Sequence, residues 1–403
     1  MNASSNTRNV GVIIAAACLI SLLGFGTRSA LGLFLEPMSD ARGWGREVFA
    51  IALAIQNLIW GFGVPVASAL SDRYGPSRVL AIGALLYSLG TAGMAYSDTG
   101  AMLNLFAGVI TGLGIAMSSF SIALAAMVRV VAVEKQSLVL GLGTAAGSLG
   151  QVLFSPLSQY FIEAWGWDST LLLLGTTTLA IVPLAFLLPG VTTGGSPSKV
   201  EQSIGDALAE ALRHRGYVLL TAGFFVCGFH VAFIAVHMPA WVQDLGLGPE
   251  VGAYALAIIG LMNIAGSFIS GLVGRYWQKK NGLVAIYALR AIAITALMLA
   301  PKTPLTIYLF AASMGFLWLS TVPLTSGIVA QVFGARYMAT LFGVVFLGHQ
   351  LGSFSGVWLG GYLYDTTGSY DSVWWAGVAL SVLATLLHLP INERPLARLQ
   401  ASA

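Results

Sequence analysis

Long apolar stretches alternate with short polar loops along the whole chain. A helix needs about 20 residues to cross a bilayer, and each stretch approaches or exceeds that length. The pattern therefore predicts an all-α membrane protein with twelve transmembrane helices. They cover roughly residues 10–36, 47–70, 78–97, 101–128, 136–162, 169–189, 216–242, 250–273, 282–300, 304–330, 337–363 and 371–390.

The composition supports this prediction, since 57% of the residues are hydrophobic and only 9% are charged. A soluble globular domain carries about 25% charged residues. The sequence motifs of nucleotide binding, serine hydrolysis, zinc proteolysis and dithiol chemistry do not occur. We therefore expect no enzyme activity, no cofactor, no metal and no nucleic-acid partner. Cys18 and Cys227 fall within apolar stretches, where a cysteine is typically a small packing residue.

The basic residues predict the orientation, because cytoplasmic loops carry an excess of Lys and Arg. With both termini cytoplasmic, the outer loops hold only Arg42, Arg46 and Lys302 of the 19 Lys and Arg residues. The first apolar stretch is too long for a signal-peptide core, so we expect it to be retained as a spanning helix. The predicted location is a bacterial inner membrane, with the chain as an integral, multi-pass protein.

The second half of the chain repeats the first at a constant offset of 202 residues. The offset relates Gly26 to Gly228, Arg28 to His230, Pro37 to Pro239, Gly141 to Gly343, Gly150 to Gly352 and Tyr160 to Tyr362. Parallel repeats of this kind are typical of transporters that bind their substrate between two halves. We predict an N-terminal six-helix bundle at 1–190, a cytoplasmic linker with an interfacial helix at 191–215, and a C-terminal six-helix bundle at 216–403.

The polar turn after the second predicted helix reads SDRYGPSR, and its charges can bond to helix ends and to partner helices. Asp72, Arg73, Gly75 and Arg78 match the loop signature of the major facilitator superfamily. The chain resembles that superfamily over its whole length, which implies a fold of two pseudo-symmetric six-helix bundles. Together with Arg129, these four residues are expected to act in conformational gating.

Within the superfamily the chain resembles the bacterial monocarboxylate-transporter and oxalate–formate antiporter branch. The segment TRSALGLFLEP is similar to the first-helix segment in which monocarboxylate transporters keep a lysine, and Arg28 stands at that position. Segments 127–150 and 227–241 resemble the junction of the fourth and fifth helices and the seventh helix. The aspartate and arginine that monocarboxylate transporters carry in their eighth helix are replaced here by Asn263 and Ser267.

Cationic and titratable side chains lie inside the predicted helices without internal carboxylates. They are Arg28, Arg290, His230, His237 and His349, whereas all 16 Asp and Glu residues fall in loops, tails or helix ends. A charge at the bilayer centre costs about 2.5–3.5 kcal/mol on insertion scales, and an anionic ligand in a wet cavity offsets that cost. The pattern therefore favours an anionic substrate.

Arg28 is the predicted carboxylate anchor, since a guanidinium presents a planar pair of donors. His230 is expected to face it across the pathway as its repeat equivalent. His349, followed by Gln350, stands in the eleventh helix, where the oxalate–formate branch resembles this chain in using a basic residue. His230, His349 and His237 are proton-coupling candidates, because imidazole titrates at about pH 6.5. Each is alternatively a neutral histidine of the core.

Asn57, Asn263 and Trp318 are further candidates for contact with the substrate. Equally, polar side chains in membrane helices can form interhelical hydrogen bonds, which contribute about 0.6 kcal/mol each. A tryptophan in such a helix is commonly a packing residue. Arg290 lies in a helix that is peripheral in the family that the chain resembles. We expect it to snorkel or to bond the region of the tenth and eleventh helices.

These features predict a secondary active transporter that moves a small organic anion, a mono- or dicarboxylate, by alternating access. Its expected partners are that anion, protons or a counter-anion, and membrane lipid, and we expect a monomer. One alternative is efflux of a larger amphipathic compound, which needs a roomier, aromatic pocket and tolerates the loss of Arg28. A second is a membrane sensor or scaffold that transports nothing. The short loops disfavour it, because a sensor usually needs an output domain.

Overall fold

The computed structural model describes residues 10–189, 203–334 and 337–396, which form helices and connecting turns with no β-strand among them. Twelve long helices correspond one to one to the predicted spans. Eleven are long and apolar enough to cross a membrane, and the remaining one has 33 residues. The prediction of an all-α membrane fold is confirmed.

Most of the helices extend beyond the apolar stretches that predicted them. They are α1 Val10–Arg42, α2 Arg46–Tyr74, α3 Pro76–Ala95, α4 Gly100–Val128, α5 Val133–Trp165, α6 Trp167–Ala185, α7 Arg215–Asp244, α8 Pro249–Tyr276, α9 Lys279–Leu299, α10 Pro304–Phe333, α11 Met338–Thr367 and α12 Asp371–His388. Asp72 and Arg73 consequently lie in the last turn of α2 rather than in a loop. Gly75, with a φ of +94°, makes the sharp junction with α3 because only glycine adopts such a backbone readily.

The segment 1–9 lies outside the described residues, as does part of the predicted linker at 191–215. The described part of that linker contains the linker helix, Ile204–Arg213. Ala207 and Ala211 of this helix are buried, whereas Ile204 and Leu212 are exposed. An exposed apolar side is typical of a helix that lies on a membrane surface.

Glycines at repeat-related positions let α1 pack closely on α5 and α7 on α11. A Cβ at Gly150 would overlap the carbonyl oxygen of Leu22, and a Cβ at Gly352 would overlap that of Phe225. The same close approach thus recurs in helices α1–α6 and α7–α12, which form the first and second halves of the molecule. The glycine repeat in the sequence reflects this helix packing.

Three spanning helices depart from regular α-helix near the middle of the molecule. Helix α1 tightens into a 3-10 turn at Leu31–Phe34, α4 breaks at Ser118, and α10 breaks between Leu317 and Thr321. Such breaks free backbone groups from the helical ladder. In a membrane these groups need partners from neighbouring helices or from a water-filled cavity.

We call the end where α1 begins and α12 ends the termini face, and the opposite end, where α2 begins and α7 ends, the far face. Across the boundary between the halves, α2 packs along α11 and α5 packs along α8. Two hydrogen bonds join the latter pair at mid-depth. Gln151 Nε2 donates to the carbonyl oxygen of Leu256, and Asn263 Nδ2 donates to Ser148 Oγ, each at 3.0 Å.

Nearer the termini face, repeat-related glycines of α5 and α11 occupy open positions. A Cβ built at Gly141 in α5, or at Gly343 in α11, would meet no atom within 4 Å. Their repeat relation therefore comes from a shared open position and not from helix contact.

Candidate functional site

A central cavity of about 300 Å³ lies between the two halves. Helices α1, α2, α4 and α5 line it from the first half, and α7, α8, α10 and α11 line it from the second. Its wall is largely apolar, with polar side chains that include Arg28, Gln56, Asn57, Gln151 and His349. A small apolar cavity with few polar groups is typical of a small-molecule site.

Arg28 reaches this cavity from α1, just before the helix tightens into its 3-10 turn. Its Nη2 donates to Asn57 Oδ1 at 2.7 Å, and its Cζ lies 4.5 Å from the centroid of the Trp60 ring. The Nε atom is buried without a hydrogen-bond partner. Within the described ranges no carboxylate pairs with Arg28, so its charge is balanced only by an amide and an aromatic face.

A chain of hydrogen bonds connects Arg28 with His349 across the boundary between the halves. Gln350 Nε2 donates to the carbonyl oxygen of Asn57 at 3.1 Å, and Gln350 Oε1 lies 2.9 Å from His349 Nδ1. Because the amide nitrogen of Gln350 is already a donor, its oxygen accepts, and His349 Nδ1 carries the hydrogen. One network thus joins four of the residues predicted to bind substrate, of which Arg28, Asn57 and His349 line the cavity.

Aromatic rings surround the imidazole of His349. The Phe346 ring stacks on it at 5.8 Å between centroids, and the Phe224 ring lies at 4.9 Å. Trp318, from the broken part of α10, also lines the cavity as predicted. Asn263 does not line it, because its amide bonds the backbone of α10 and Ser148.

His230 lies away from the cavity, so the expectation that it faces Arg28 across the pathway is wrong. Its Nε2 bonds the carbonyl oxygen of Gly377 at 2.8 Å and lies 3.3 Å from Ser381 Oγ, both in α12. The next residue, Val231, lines the cavity instead. Successive residues of an α-helix are rotated by about 100°, with 3.6 residues per turn. Residue 230 therefore points toward α12 within the second half, while residue 231 meets the cavity.

His237 is also buried outside the cavity, nearer the far face. Its Nδ1 lies 3.1 Å from the hydroxyl of Tyr370 and its Nε2 lies 2.8 Å from the carbonyl oxygen of Val357. The carbonyl fixes Nε2 as a donor, so Nδ1 accepts from the tyrosine. His237 is thus a hydrogen-bonded core histidine of the second half.

An ion pair joins the two halves at the far face. Both terminal nitrogens of Arg46 bond Asp244, at 2.6 and 2.7 Å, and Arg46 Nη1 donates to the hydroxyl of Tyr370 at 3.2 Å. The Tyr364 ring lies 3.9 Å from the Arg46 Cζ. The pair joins the start of α2 in the first half to the end of α7 in the second.

Asp365 adds a second link between the halves by capping α2 from the second half. It accepts from the backbone nitrogens of Arg46 and Glu47 at 2.9 and 2.8 Å. The hydropathy pattern does not indicate this cluster, because it places Arg46 in a loop. The sequence did contain one indication of this cluster. An arginine in the first turn of a helix is disfavoured by the helix dipole and therefore indicates a compensating acid nearby.

At the termini face, Arg129 Nη2 bonds Asp72 Oδ1 at 2.7 Å. The pair ties α2 to the end of α4 within the first half. Arg73 packs over the Tyr74 ring, and Arg78 is exposed near the start of α3. The predicted gating residues therefore do not form one cluster, and the Asp72 side chain is 70% exposed.

The second half has Gly274 at the position equivalent to Asp72, and a carboxylate from elsewhere occupies this region. Glu393, beyond the end of α12, accepts from the backbone nitrogen of Lys280 at the start of α9, at 2.5 Å. Its carbonyl oxygen accepts from Gln331 of α10 at 3.0 Å. The segment after α12 thus ties α9 to α10 at the termini face.

Comparison with known proteins gives consistent results. A model of the Major Facilitator Superfamily matches residues 17–357. Monocarboxylate transporter 13 of Bos taurus is 26% identical over 406 residues, covering 96% of this chain and 92% of that protein. The uncharacterised MFS-type transporter YcxA of Bacillus subtilis (strain 168) is 23% identical and covers 85% of each chain. These relatives confirm the resemblance to the monocarboxylate-transporter branch, and both are named as transporters, not enzymes.

Among solved structures, a bacterial homologue of the human lysosomal transporter Spinster, in an inward-facing and occupied conformation, superposes with a TM-score of 0.73. The alignment covers 94% of this chain and 96% of that one at 13% identity. At this identity the likeness shows the fold alone.

Proposed function

Because the chain belongs to the major facilitator superfamily of transporters, we propose that it is a secondary active transporter of a small organic anion, a mono- or dicarboxylate. The observation that carries the proposal is Arg28 in the central cavity, without a carboxylate partner among the described residues. A guanidinium in this position has unused donors that suit a carboxylate. The relative that is named monocarboxylate transporter 13 agrees with this substrate class.

The charge balance of the cavity supports an anion over a cation or a neutral solute. Among the residues that the structure describes, no Asp or Glu lines it, whereas Arg28 and His349 do. Its volume of about 300 Å³ is at the lower limit for small-molecule pockets, which agrees with a small substrate. The substrate carboxylate would displace Asn57 Oδ1 from Arg28 or share the guanidinium with it.

Coupling would proceed through His349 or by exchange of one anion for another. His349 is the histidine that meets the cavity, and Gln350 and Asn57 link it to the anion site. Protonation of this imidazole adds a second positive charge to the wall beside the bound anion. His230 and His237 are weaker candidates for coupling, because both are bonded within the second half.

The geometry supports alternating access with the far face closed and the termini face open. The Arg46–Asp244 pair between the halves supports a closed far face, and the open positions of Gly141 and Gly343 support an open termini face. Gating residues at the open end would be Asp72, Arg73, Gly75, Arg78 and Arg129. If the termini are cytoplasmic, as the basic residues predict, this is an inward-open state of a monomer in a bacterial cytoplasmic membrane.

Uptake of a carboxylate panel into proteoliposomes tests the proposal. Lactate, pyruvate, formate, oxalate and malonate are offered with and without an inward proton gradient, to wild type, Arg28→Gln and Arg213→Gln. Arg213 is the matched control, since it is an arginine of the linker helix outside the spanning bundles. We expect saturable uptake that Arg28→Gln abolishes and Arg213→Gln retains. Stimulation by the gradient indicates symport, and dependence on internal anion indicates exchange.

Two outcomes contradict the carboxylate assignment, namely no uptake of any panel member and uptake that is unaffected by Arg28→Gln. Either result favours the export of a larger amphipathic compound. The aromatic side chains of the cavity wall would then form its binding surface. They are Phe25, Trp60, Phe120, Phe224, Trp318, Phe342 and Phe346.

A further inference from the structure

Helix α10 is broken at Trp318–Ser320, and the break leaves backbone carbonyls outside the helical ladder. Pro323 lacks an N–H and so cannot bond Leu319. Instead the nitrogen of Val322 donates to the carbonyl oxygen of Leu319 at 3.0 Å. Trp318 thereby loses the donor that its carbonyl oxygen would have in a continuous helix. In a membrane protein such a group needs another partner.

Arg290 supplies that partner from α9. Its Nη2 lies 2.6 Å from the carbonyl oxygen of Trp318 and 2.7 Å from that of Leu317, and 3.5 Å from the sulfur of Cys227. Arg290 is 0% exposed and has no ion-pair partner in the described part of the chain. Its charge instead faces the C-terminal end of the first α10 segment, where the helix dipole is negative.

Two residues of α8 bond the other backbone groups of the break. Asn263 Oδ1 accepts from the nitrogen of Leu319 at 3.0 Å, and Ser270 Oγ donates to the carbonyl oxygen of Ser320. Asn263 also donates to Ser148 of α5, in the first half. Side chains of α9 and α8 therefore bond the backbone of the break. Asn263 also connects the break with the first half.

We propose that Arg290 is a positioning residue that holds the broken segment of α10, and with it the Trp318 side chain, in the wall of the central cavity. The reason is that the broken segment lies between Arg290 and the cavity. The Trp318 backbone carbonyl bonds Arg290, while its side chain, with Leu319 and Val322, lines the cavity. The arginine is fully buried, so it acts on the substrate through this segment and does not touch the substrate. This role in transport rests on the proposed function, whereas the structural role does not.

Hydrogen–deuterium exchange on the purified full chain tests the structural role without any substrate. We expect Arg290→Gln to speed exchange of the amides of residues 318–322 by about tenfold or more, because charge-assisted hydrogen bonds to two carbonyls are lost. Arg290→Lys, which keeps the charge but has one donor group, should restore part of the protection. Exchange at residues 305–314 of the same helix should not change.

Tyr287→Phe is the matched control. Tyr287 lies one turn earlier in α9, is equally buried, and donates its hydroxyl to the carbonyl oxygen of Gly223 in α7 at 2.8 Å. The variant loses one buried hydrogen bond that does not involve α10. Equal acceleration at residues 318–322 in Tyr287→Phe, or none in Arg290→Gln, overturns the proposal.

Transport kinetics then test whether Arg290 acts through Trp318. Arg290→Lys should raise KM several-fold with little change in Vmax, and Trp318→Ala should raise it further. The double variant should match Trp318→Ala alone, since the arginine has nothing left to position. Additive effects on KM contradict the proposal. If no carboxylate is transported by wild type, the proposed function fails while the exchange experiment still decides the role of Arg290.

Discussion

Asp244→Asn offers a quantitative test of the closure at the far face. The variant keeps the shape of the side chain but removes the negative charge that Arg46 contacts through two nitrogens, at 2.6 and 2.7 Å. Two unit charges about 4 Å apart attract by about 4 kcal/mol at an effective dielectric constant of 20. The Arg46 side chain is only 10% exposed, so its charge is poorly solvated once the partner is lost.

The net effect is smaller than the full attraction for two structural reasons. The Asp244 side chain is 26% exposed, and Glu36 Oε1 lies 3.9 Å from Arg46 and can replace part of the interaction. Desolvation of the pair also opposes its attraction. We expect the closed state to lose about 1.5–3 kcal/mol, which shifts the ratio of closed to open molecules about 10- to 100-fold.

Electron–electron distance measurements between spin labels at the far face would detect this shift. Met102→Cys in α4 and Thr366→Cys in α11 place labels on exposed positions of the two halves. Asp244→Asn should add a population with a longer distance. Asp98→Asn is the matched control, because it breaks an ion pair with Arg42 at the same face but within the first half. An unchanged distance distribution in Asp244→Asn, or equal broadening in Asp98→Asn, would refute the assignment of this pair as the closure.

Three further predictions follow from the cavity and the helix packing. Arg28→Lys should raise the KM for a carboxylate about tenfold with Vmax largely kept, because an ammonium keeps the charge but not the planar fork; uptake kinetics that match wild type would contradict this. His349→Gln should leave anion exchange in place and remove stimulation of uptake by an inward proton gradient, measured in the same vesicles; a retained response would exclude this histidine as the coupling group. Gly352→Ala should lower the free energy of unfolding by about 1–3 kcal/mol, because the added methyl overlaps the carbonyl oxygen of Phe225. Gly343→Ala is the control, since open space surrounds that position. It should match wild type in thermal unfolding in detergent.

Features that depend on local composition or on a repeated packing requirement could be predicted from the sequence. The twelve helices follow from hydropathy, because a bilayer demands long apolar helices irrespective of how they pack. Arg28 could be identified because an arginine amid apolar residues is costly wherever its helix lies. The repeat at Gly150 and Gly352 was visible because both positions face a backbone across a close helix contact.

Features that depend on rotation about a helix axis, or on contacts between distant segments, could not be predicted. His230 shares the repeat register with Arg28, yet one residue of rotation decides whether a side chain meets the cavity or α12. Arg46 and Asp244 are 198 positions apart, and only the assembled halves bring them together. The bonds from Arg290 to α10 could not be predicted, because Pro323 alone does not determine where that helix breaks.

The carboxylate that ties the termini face of the second half bears on how the protein is made. In the first half, Asp72 and Arg129 pair within the first 129 residues, so this contact can form while the rest is still being synthesised. In the second half, the contact of α9 with Glu393 forms only after residue 393 has left the ribosome. The first half can therefore complete its packing before the second. A first half that folds this early would lie in the membrane beside an unfinished second half during part of biosynthesis.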